Sequence, residues 1–345
     1  MTSAPHPPAT EAARFYNARG NIYAVIRPAA LRRFGLDATH GAAIAAHQHA
    51  IWAMPAIAAL CAWPDHAPPD GKPHRCDGLL VGPFQAAPPF DLLIVNTDAT
   101  LAERSGNGLT IFATALAEDG IAPPVGAFAL RVHHAGPTPA ADVVVQAAEE
   151  DGRRGMWLHL GQPSFGADAV AARAGRVLAR AGDYALTLPS LTAIDPRWCR
   201  TMLVRVGNPH AVTFLPDASL LPGMAALRAD PLHAALTRIA YAAGDPRETG
   251  GKGDPCPAGI NLQWAAPLPD GSLEARIFER GEGPTESSGT SATAVASAAR
   301  HLGLVTAPRV LVRMPGGVAP LDFAPDGSVR LFGVATRVPD QPNSG

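Results

Sequence analysis

The chain is short of lysine, of cysteine, of charge and of long apolar runs, and each shortage removes a class of protein. Only Lys72 and Lys252 occur in 345 residues, and 28 basic against 30 acidic side chains leave a formal net charge of −2. The basic residues are mostly scattered arginines rather than blocks, so a phosphate-covered partner such as nucleic acid is not expected. Four cysteines, Cys61, Cys76, Cys199 and Cys256, are widely spaced and form no C-x-x-C pair. The first dozen residues (MTSAPHPPATEA) carry neither a basic start nor an apolar core, so the expectation is a reducing, cytoplasmic protein. The most apolar stretch, residues 50–63, is too short to span a bilayer and contains Pro55, which reads as a buried or amphipathic helix and not as a membrane contact.

Catalytic signatures are missing too. No Gly-rich loop runs into Lys and Ser/Thr, and no G-x-G-x-x-G follows a first strand, so nucleotide cofactors are not expected. Ser105 follows Glu103-Arg104 and Ser288 follows Glu286-Ser287, so neither sits on a G-x-S-x-G elbow. His47 and His49 are two residues apart and cannot share a helix face, and the His133–His134 pair has no carboxylate at ligand spacing, so no metal site is expected.

What is abundant is glycine and proline, 34 and 35 residues, which implies short elements joined by many tight turns. Within that pattern the chain repeats itself. Gly20-Asn21-Ile22-Tyr23-Ala24-Val25 is echoed by Gly207-Asn208-Pro209-His210-Ala211-Val212. Asn96 leads in nine residues to Ser105-Gly106-Asn107-Gly108, and Glu279 leads in nine to Ser288-Gly289-Thr290-Ser291. Two matches in the same order at nearly equal separation indicate a duplicated domain. Runs at 92–95, 203–206 and 310–312 read as strands. The stretches 109–116 and 292–299, which follow the small-residue loops, read as buried helices. The join between the halves is expected near 123–126 or in the polar, Gly-rich stretch 146–155.

A Ser-Gly pair opening a helix offers backbone N–H groups and the positive end of the helix dipole, so it can hold a carboxylate or phosphate without a cationic side chain. Ser105 and Ser288 can equally be plain N-cap residues.

These motifs resemble diaminopimelate epimerase and the wider group of pyridoxal-independent amino-acid racemases and epimerases. The resemblance is carried by Gly20-Asn21, Cys76-Asp77-Gly78-Leu79-Leu80, Asn96-Thr97-Asp98, Ser105-Gly106-Asn107-Gly108, Gly207-Asn208-Pro209-His210-Ala211-Val212, Gly259-Ile260-Asn261, Glu279-Arg280-Gly281, Ser288-Gly289-Thr290 and Pro315-Gly316-Gly317. It implies an α+β fold of two pseudo-symmetric domains, each an antiparallel sheet curled around a central helix. On this reading residues 1–130, joined by the segment 335–345, form one half and residues 131–334 the other. The active site would lie in the cleft between the N-terminal ends of the two helices. It implies further a free amino acid as substrate, no cofactor, and a homodimer as the family's usual assembly.

In that family two cysteines face each other across the substrate, one removing the α-proton and the other delivering a proton to the opposite face. Their positions here are Ser105 and Ser288. A thiol with an ordinary pKa near 8.5 becomes a thiolate at a helix N-terminus, whereas a serine hydroxyl does not titrate in that range. The four cysteines fall at neither position and read as small buried hydrophobes. The resemblance also implies that Asn21, Asn96, Asn208, Asn261, Glu279 and Arg280 contact the amino and carboxylate groups of the substrate. Backbone N–H groups at Gly106, Asn107, Gly289 and Thr290 would take the reacting carboxylate. Asn17, Ile22, Gly78 and Ser291 depart from the usual pattern, and the segment 42–75 is longer than usual and is a candidate lid or dimer surface.

Three functions remain open. The first is an isomerase or epimerase acting at Cα–H, with the base supplied by His210, which is favoured, or by Glu103 or Glu286. The second is a related lyase or double-bond isomerase that needs one base. The third is a non-catalytic amino-acid-binding protein, or an epimerase inactivated by exchange of both cysteines for serine.

Overall fold

The structure is a computed structural model that describes residues 13–37, 40–63, 74–123, 125–135, 139–180, 183–244 and 250–339. The opening dodecapeptide, residues 64–73 of the long segment and residues 340–345 of the closing segment lie outside the described residues. The chain divides into two units, Met1–Leu158 with Gly333–Gly345, and His159–Phe332.

In the first unit, β1 (Arg14–Ala18) and β2 (Asn21–Ile26) form a hairpin. Its two turn residues, Arg19 and Gly20, both have positive φ, 51° and 91°, as a two-residue hairpin of this hand requires. Two helices follow, α1 (Ala42–His47) and α2 (His49–Leu60). β3 (Gly78–Val81) then lies parallel to β2, β4 (Phe90–Asn96) antiparallel to β3, β5 (Ala127–His133) parallel to β4, and β6 (Ala141–Glu150) antiparallel to β5. Helix α3 (Gly106–Glu118) connects β4 to β5 and is buried at ten of its thirteen positions. The strand β7 (Arg153–Gly161) carries the chain into the second unit.

The second unit repeats this plan with larger insertions. Short strands β8 (Ser164–Phe165), β9 (Leu178–Ala179) and β10 (Leu186–Thr187) and the turn-length helix α4 (Pro189–Thr192) come first. The hairpin β11 (Thr201–Val206) and β12 (Asn208–Phe214) turns at Gly207, with φ 70°. Helices α5 (Met224–Arg228) and α6 (Leu232–Ala240) lead to β13 (Asn261–Pro267), parallel to β12. β14 (Leu273–Glu279) is antiparallel to β13 and carries the short β15 (Gly283–Thr285). β16 (Arg309–Met314) is parallel to β14, and β17 (Gly317–Phe323) and β18 (Val329–Gly333) extend the ladder antiparallel. Helix α7 (Gly289–His301) connects β14 to β16 and packs against β11, β12, β13, β14, β16 and β17.

Each unit thus pairs its strands antiparallel, parallel, antiparallel, parallel, antiparallel, with helices at both parallel crossovers. The sheets curl around their central helices as the resemblance implied and include parallel pairs, because a helix inserted between neighbouring strands returns the chain in the same direction. Eleven consecutive residues of α7, Gly289 to Ala299, are buried, nearly all of them Gly, Ala, Ser or Thr. A helix enclosed on every side must be apolar or small all round, and this composition meets that condition.

The boundary falls later than residue 130. β5 bonds to β4 on one side and β6 on the other, so this hairpin stays with the first unit. After β18 the chain returns to the first unit, where the strand Thr336–Arg337 pairs with β1 through Tyr16↔Arg337 and Asn17↔Thr336. A Cβ at Gly333 would stand 2.2 Å from the Thr110 Oγ1 of α3, so the returning chain needs glycine to pass the helix. α2 buries Trp52, Ala53, Ala56 and Ile57 in the first core and leaves Ile51 and Met54 exposed. No helix among the described residues is long and apolar enough to cross a membrane.

Candidate active site

Ser105 and Ser288 occupy the same place in the two halves. Ser105 is the N-cap of α3, in an extended conformation, and its Oγ accepts the Gly108 N–H at 3.0 Å. Ser288 is the N-cap of α7, and its Oγ accepts the Ser291 N–H at 3.3 Å while lying 3.3 Å from the Thr290 Oγ1. Each cap satisfies one backbone donor. Gly106 and Asn107 in α3, and Gly289 and Thr290 in α7, supply the other N–H groups of the first turn, which precede any intrahelical acceptor. The positive end of each helix dipole therefore sits beside a hydroxyl and suits a carboxylate.

In the first unit two of the predicted residues, Asn21 and Asn107, lie in one chain of hydrogen bonds. The Arg19 guanidinium donates to the Asn107 Oδ1 at 3.1 Å, the Asn107 amide donates to the Asn21 Oδ1, and the Asn21 amide lies 3.5 Å from the Asp77 Oδ2. Asp77 also accepts the Ile22 N–H at 2.7 Å, which ties β2 to the start of β3. The two asparagine amides are thereby oriented. Burial, then the charge of Arg153, pushes the Arg19 pKa down to about 10. Asn96 stands apart from this chain, its amide bound to the Thr100 Oγ1 at 3.0 Å. Tyr23 approaches Ser105 instead, Oη to Oγ 3.5 Å.

In the second unit, Asn261 is 5% exposed and its Oδ1 accepts the Arg280 N–H at 2.8 Å. The Arg280 guanidinium donates to the Ala258 carbonyl at 2.8 Å. Its side chain passes over Gly259, where a Cβ would come within 2.7 Å of the Arg280 Cδ. Glu279 accepts the Thr285 hydroxyl at 3.1 Å, and Asn208 opens β12 opposite Val206.

The structure corrects the choice of His210 as base. The ring is fully buried, and its Nδ1 accepts the Gln263 amide at 3.1 Å. The only basic lone pair of the neutral imidazole is thus occupied. The opposite nitrogen, Nε2, carries the proton and is buried with no partner among the described residues. Burial, with Arg280 and Arg205 as neighbouring cations, pushes its pKa down to about 3. Gln263 donates also to the Ser291 Oγ at 3.1 Å, so His210 belongs to a packed polar cluster against α7. Glu286 turns to Arg228 at 3.4 Å with more than half of its side chain exposed. Cys61, Cys76 and Cys256 are buried and Cys199 is half-buried, and none caps α3 or α7.

The departures from the family pattern acquire local reasons. Asn17 accepts the Gly20 N–H at 2.9 Å and so helps close the first hairpin. Ile22 packs on the first core. At Gly78 a Cβ would stand 2.2 Å from the Val95 carbonyl oxygen and 3.1 Å from the Tyr23 Cε1, so only glycine fits beneath that ring. Arg19, Tyr23, Asp77 and Gln263 were not among the predicted site residues. Asp77 lies inside the motif Cys76-Asp77-Gly78-Leu79-Leu80, and Tyr23 and His210 are matched by the internal repeat.

A family profile described as diaminopimelate epimerase matches residues 253–338. The diaminopimelate epimerase of Sphingopyxis alaskensis is 30% identical over 270 residues, 77% of this chain and 81% of that protein. The chain belongs to the diaminopimelate epimerase family. Diaminopimelate epimerase 2 of a Nostoc species is 27% identical over 76% of this chain and 79% of its own length. A hydroxyproline epimerase from Agrobacterium vitis, solved with bound trans-4-hydroxy-L-proline, shares the fold at a TM-score of 0.56 and 17% identity, over 95% of this chain and 90% of that one. The protein is accordingly an isomerase of the epimerase and racemase type.

Proposed function

We propose that the protein removes and returns the α-proton of a free amino acid without a cofactor, with diaminopimelate as the first substrate to test. The observation that carries this reading is the paired occurrence, at equivalent places of a duplicated fold, of a serine-capped helix N-terminus, joined in the first unit by the bonded Asn21–Asn107 pair. The N–H groups of a first helical turn, at Gly106 and Asn107 in one unit and at Gly289 and Thr290 in the other, suit an α-carboxylate and stabilise the negative charge that develops when the proton leaves. Asn21, Asn96 and Asn208 orient the amino and carboxylate groups. Arg280 suits a second carboxylate and Glu279 an ammonium, which favours a substrate with charges at both ends.

The two serines occupy the positions of the proton-carrying thiols, and a serine does not ionise at neutral pH. Preorganised charge stabilisation therefore bears more of the catalysis than the base does. A lyase or double-bond isomerase reading needs one base rather than two, and an amino-acid-binding reading needs none.

The deciding experiment follows α-proton exchange by NMR in D₂O, with diaminopimelate stereoisomers and a panel of free L- and D-amino acids. The unaltered protein and a Ser105→Cys/Ser288→Cys variant are run side by side. Exchange by the unaltered protein is expected. Exchange by the cysteine variant alone would make binding the present activity, and exchange by neither would sink the reading.

A further inference from the structure

The two serines have unequal surroundings. In the repeat Tyr23 corresponds to His210, since each stands two residues after the hairpin asparagine and faces the first residue of the following parallel strand, Gly78 or Asn261. The imidazole of His210 is turned to Gln263, and Ser288 is left with a hydroxyl and a backbone N–H as its partners. In the first unit the corresponding position of Gln263 is Leu80, which offers no polar group. Tyr23, 7% exposed, lies against Ser105 instead, with Oη 3.5 Å from Oγ across 82 residues of sequence. The slot for its ring is provided by Gly78, where any side chain would collide with it. A separation of 3.5 Å is half an ångström longer than a good hydroxyl pair, a gap that catalytic contacts close when substrate binds.

We infer that Tyr23 is the proton-accepting partner of Ser105, supplying the titratable group that a thiol would otherwise provide at the end of α3. This rests on the proton-transfer reading above. The Tyr23 phenolate takes the Ser105 Oγ proton while Oγ takes the substrate α-proton. The C–H bond breaks, an O–H bond forms on Ser105, and a second forms on Tyr23. The electron pair of the C–H bond passes into the substrate carboxylate, and the negative charge moves with it from the phenolate to the substrate. The same steps run backwards return a proton or a solvent deuteron to the same face, so this relay by itself accounts for exchange and not for inversion. Ser105 is the group that touches the substrate, and Tyr23 acts through it.

A phenol titrates near pH 10, closer to a thiol than any aliphatic hydroxyl. The titratable and charged groups on the elements around this pair are Arg14 and Tyr16 of β1, Arg19 of the hairpin turn with Arg153 acting on it, Cys76 and Asp77 ahead of β3, Glu103 and Arg104 ahead of α3, and Glu118 near the end of α3. The Cys76 thiol, held low by the Cys61 thiol, is present in every variant compared. Tyr16, bound to Glu118, is shifted well above the ordinary phenol range. Burial holds Arg19 below the ordinary guanidinium range, and any loss of its charge would lower the rate, opposite in sign to ionisation of a base.

The test measures exchange in D₂O from pH 6 to 10 for the unaltered protein and for Tyr23→Phe, each also in the Ser105→Cys/Ser288→Cys background. The unaltered protein is expected to gain about tenfold in rate per pH unit up to the phenol range. Tyr23→Phe is expected to lose roughly 10²-fold or more and to flatten that slope. In the cysteine background the same substitution is expected to cost under about tenfold, because a thiolate needs no partner. Equal losses in both backgrounds would reduce Tyr23 to a packing residue and overturn the inference, as would an unchanged pH slope. Exchange by the unaltered protein that Tyr23→Phe leaves intact overturns the relay alone, whereas exchange by the cysteine variant only, or by neither protein, overturns the proposed function with it.

Discussion

Acid should weaken this protein through one buried ring. His210 is neutral in the folded state, with a pKa near 3 against an ordinary value of 6.5. Below pH 6.5 the unfolded chain binds a proton there that the folded chain excludes, so stability is full above that pH and is lost as pH falls toward 3. The loss approaches about 1.4 kcal/mol per pH unit, so that about 2.7 kcal/mol of the full stability is gone by pH 4.5. Carboxylates held low by their arginine and backbone partners, such as Asp270 near 2, contribute with the same sign but at lower pH, which leaves the interval from 6.5 to 5 to the histidines. His159 shifts in the same direction, so a difference between proteins isolates His210. The assay is urea unfolding at pH 7.0, 6.0, 5.0 and 4.5, read by tryptophan fluorescence, with Trp198 and Trp264 tilted against each other at 4.8 Å in the second unit. The unaltered protein is compared with His210→Phe. That variant starts less stable, because Gln263 loses an acceptor, but its dependence on pH should be shallower by about one proton. Superimposable slopes would refute the buried, neutral imidazole.

Two further substitutions test the architecture around the serines. Gly78→Ala forces a Cβ to 2.2 Å from the Val95 carbonyl oxygen at a φ of +154°, and should cost about 2–4 kcal/mol. A drop in melting temperature on the order of 5–15 °C is expected, and a shift of only a degree or two would contradict the close approach beneath Tyr23. Ser105→Ala removes the 3.0 Å cap of α3 and should cost roughly 1 kcal/mol in chemical denaturation. Ser288→Ala removes a longer cap of 3.3 Å and should cost less, so the reverse order would mean that cap geometry does not set these costs.

Much of the architecture was legible because the repeated motifs are local. Gly20-Asn21 and Gly207-Asn208 sit at hairpin turns that demand positive φ, and Ser105-Gly106 and Ser288-Gly289 open buried helices, all of which short-range pattern can carry. The mixed character of the sheets and the place of the boundary were not local. They depend on β5 choosing β4 as a parallel neighbour across a helix, a pairing that hydrophobic pattern does not specify. The same limit applies at the candidate site. The condition of His210 is set by Gln263, fifty-three residues later, and the neighbour of Ser105 is Tyr23, eighty-two residues earlier. Motif reading named the histidine by its position, and only the surroundings reveal that its lone pair is taken.

The return of the chain at Gly333 bears on how the protein is made. As the ribosome delivers residues in order, the first unit emerges early but lacks both the strand that pairs with β1 and the glycine that lies against Thr110. The intervening residues, His159–Phe332, are complete before those pieces exist. The half that is synthesised first is therefore the half that finishes folding last, and until then β1 presents an unpaired edge to other nascent chains.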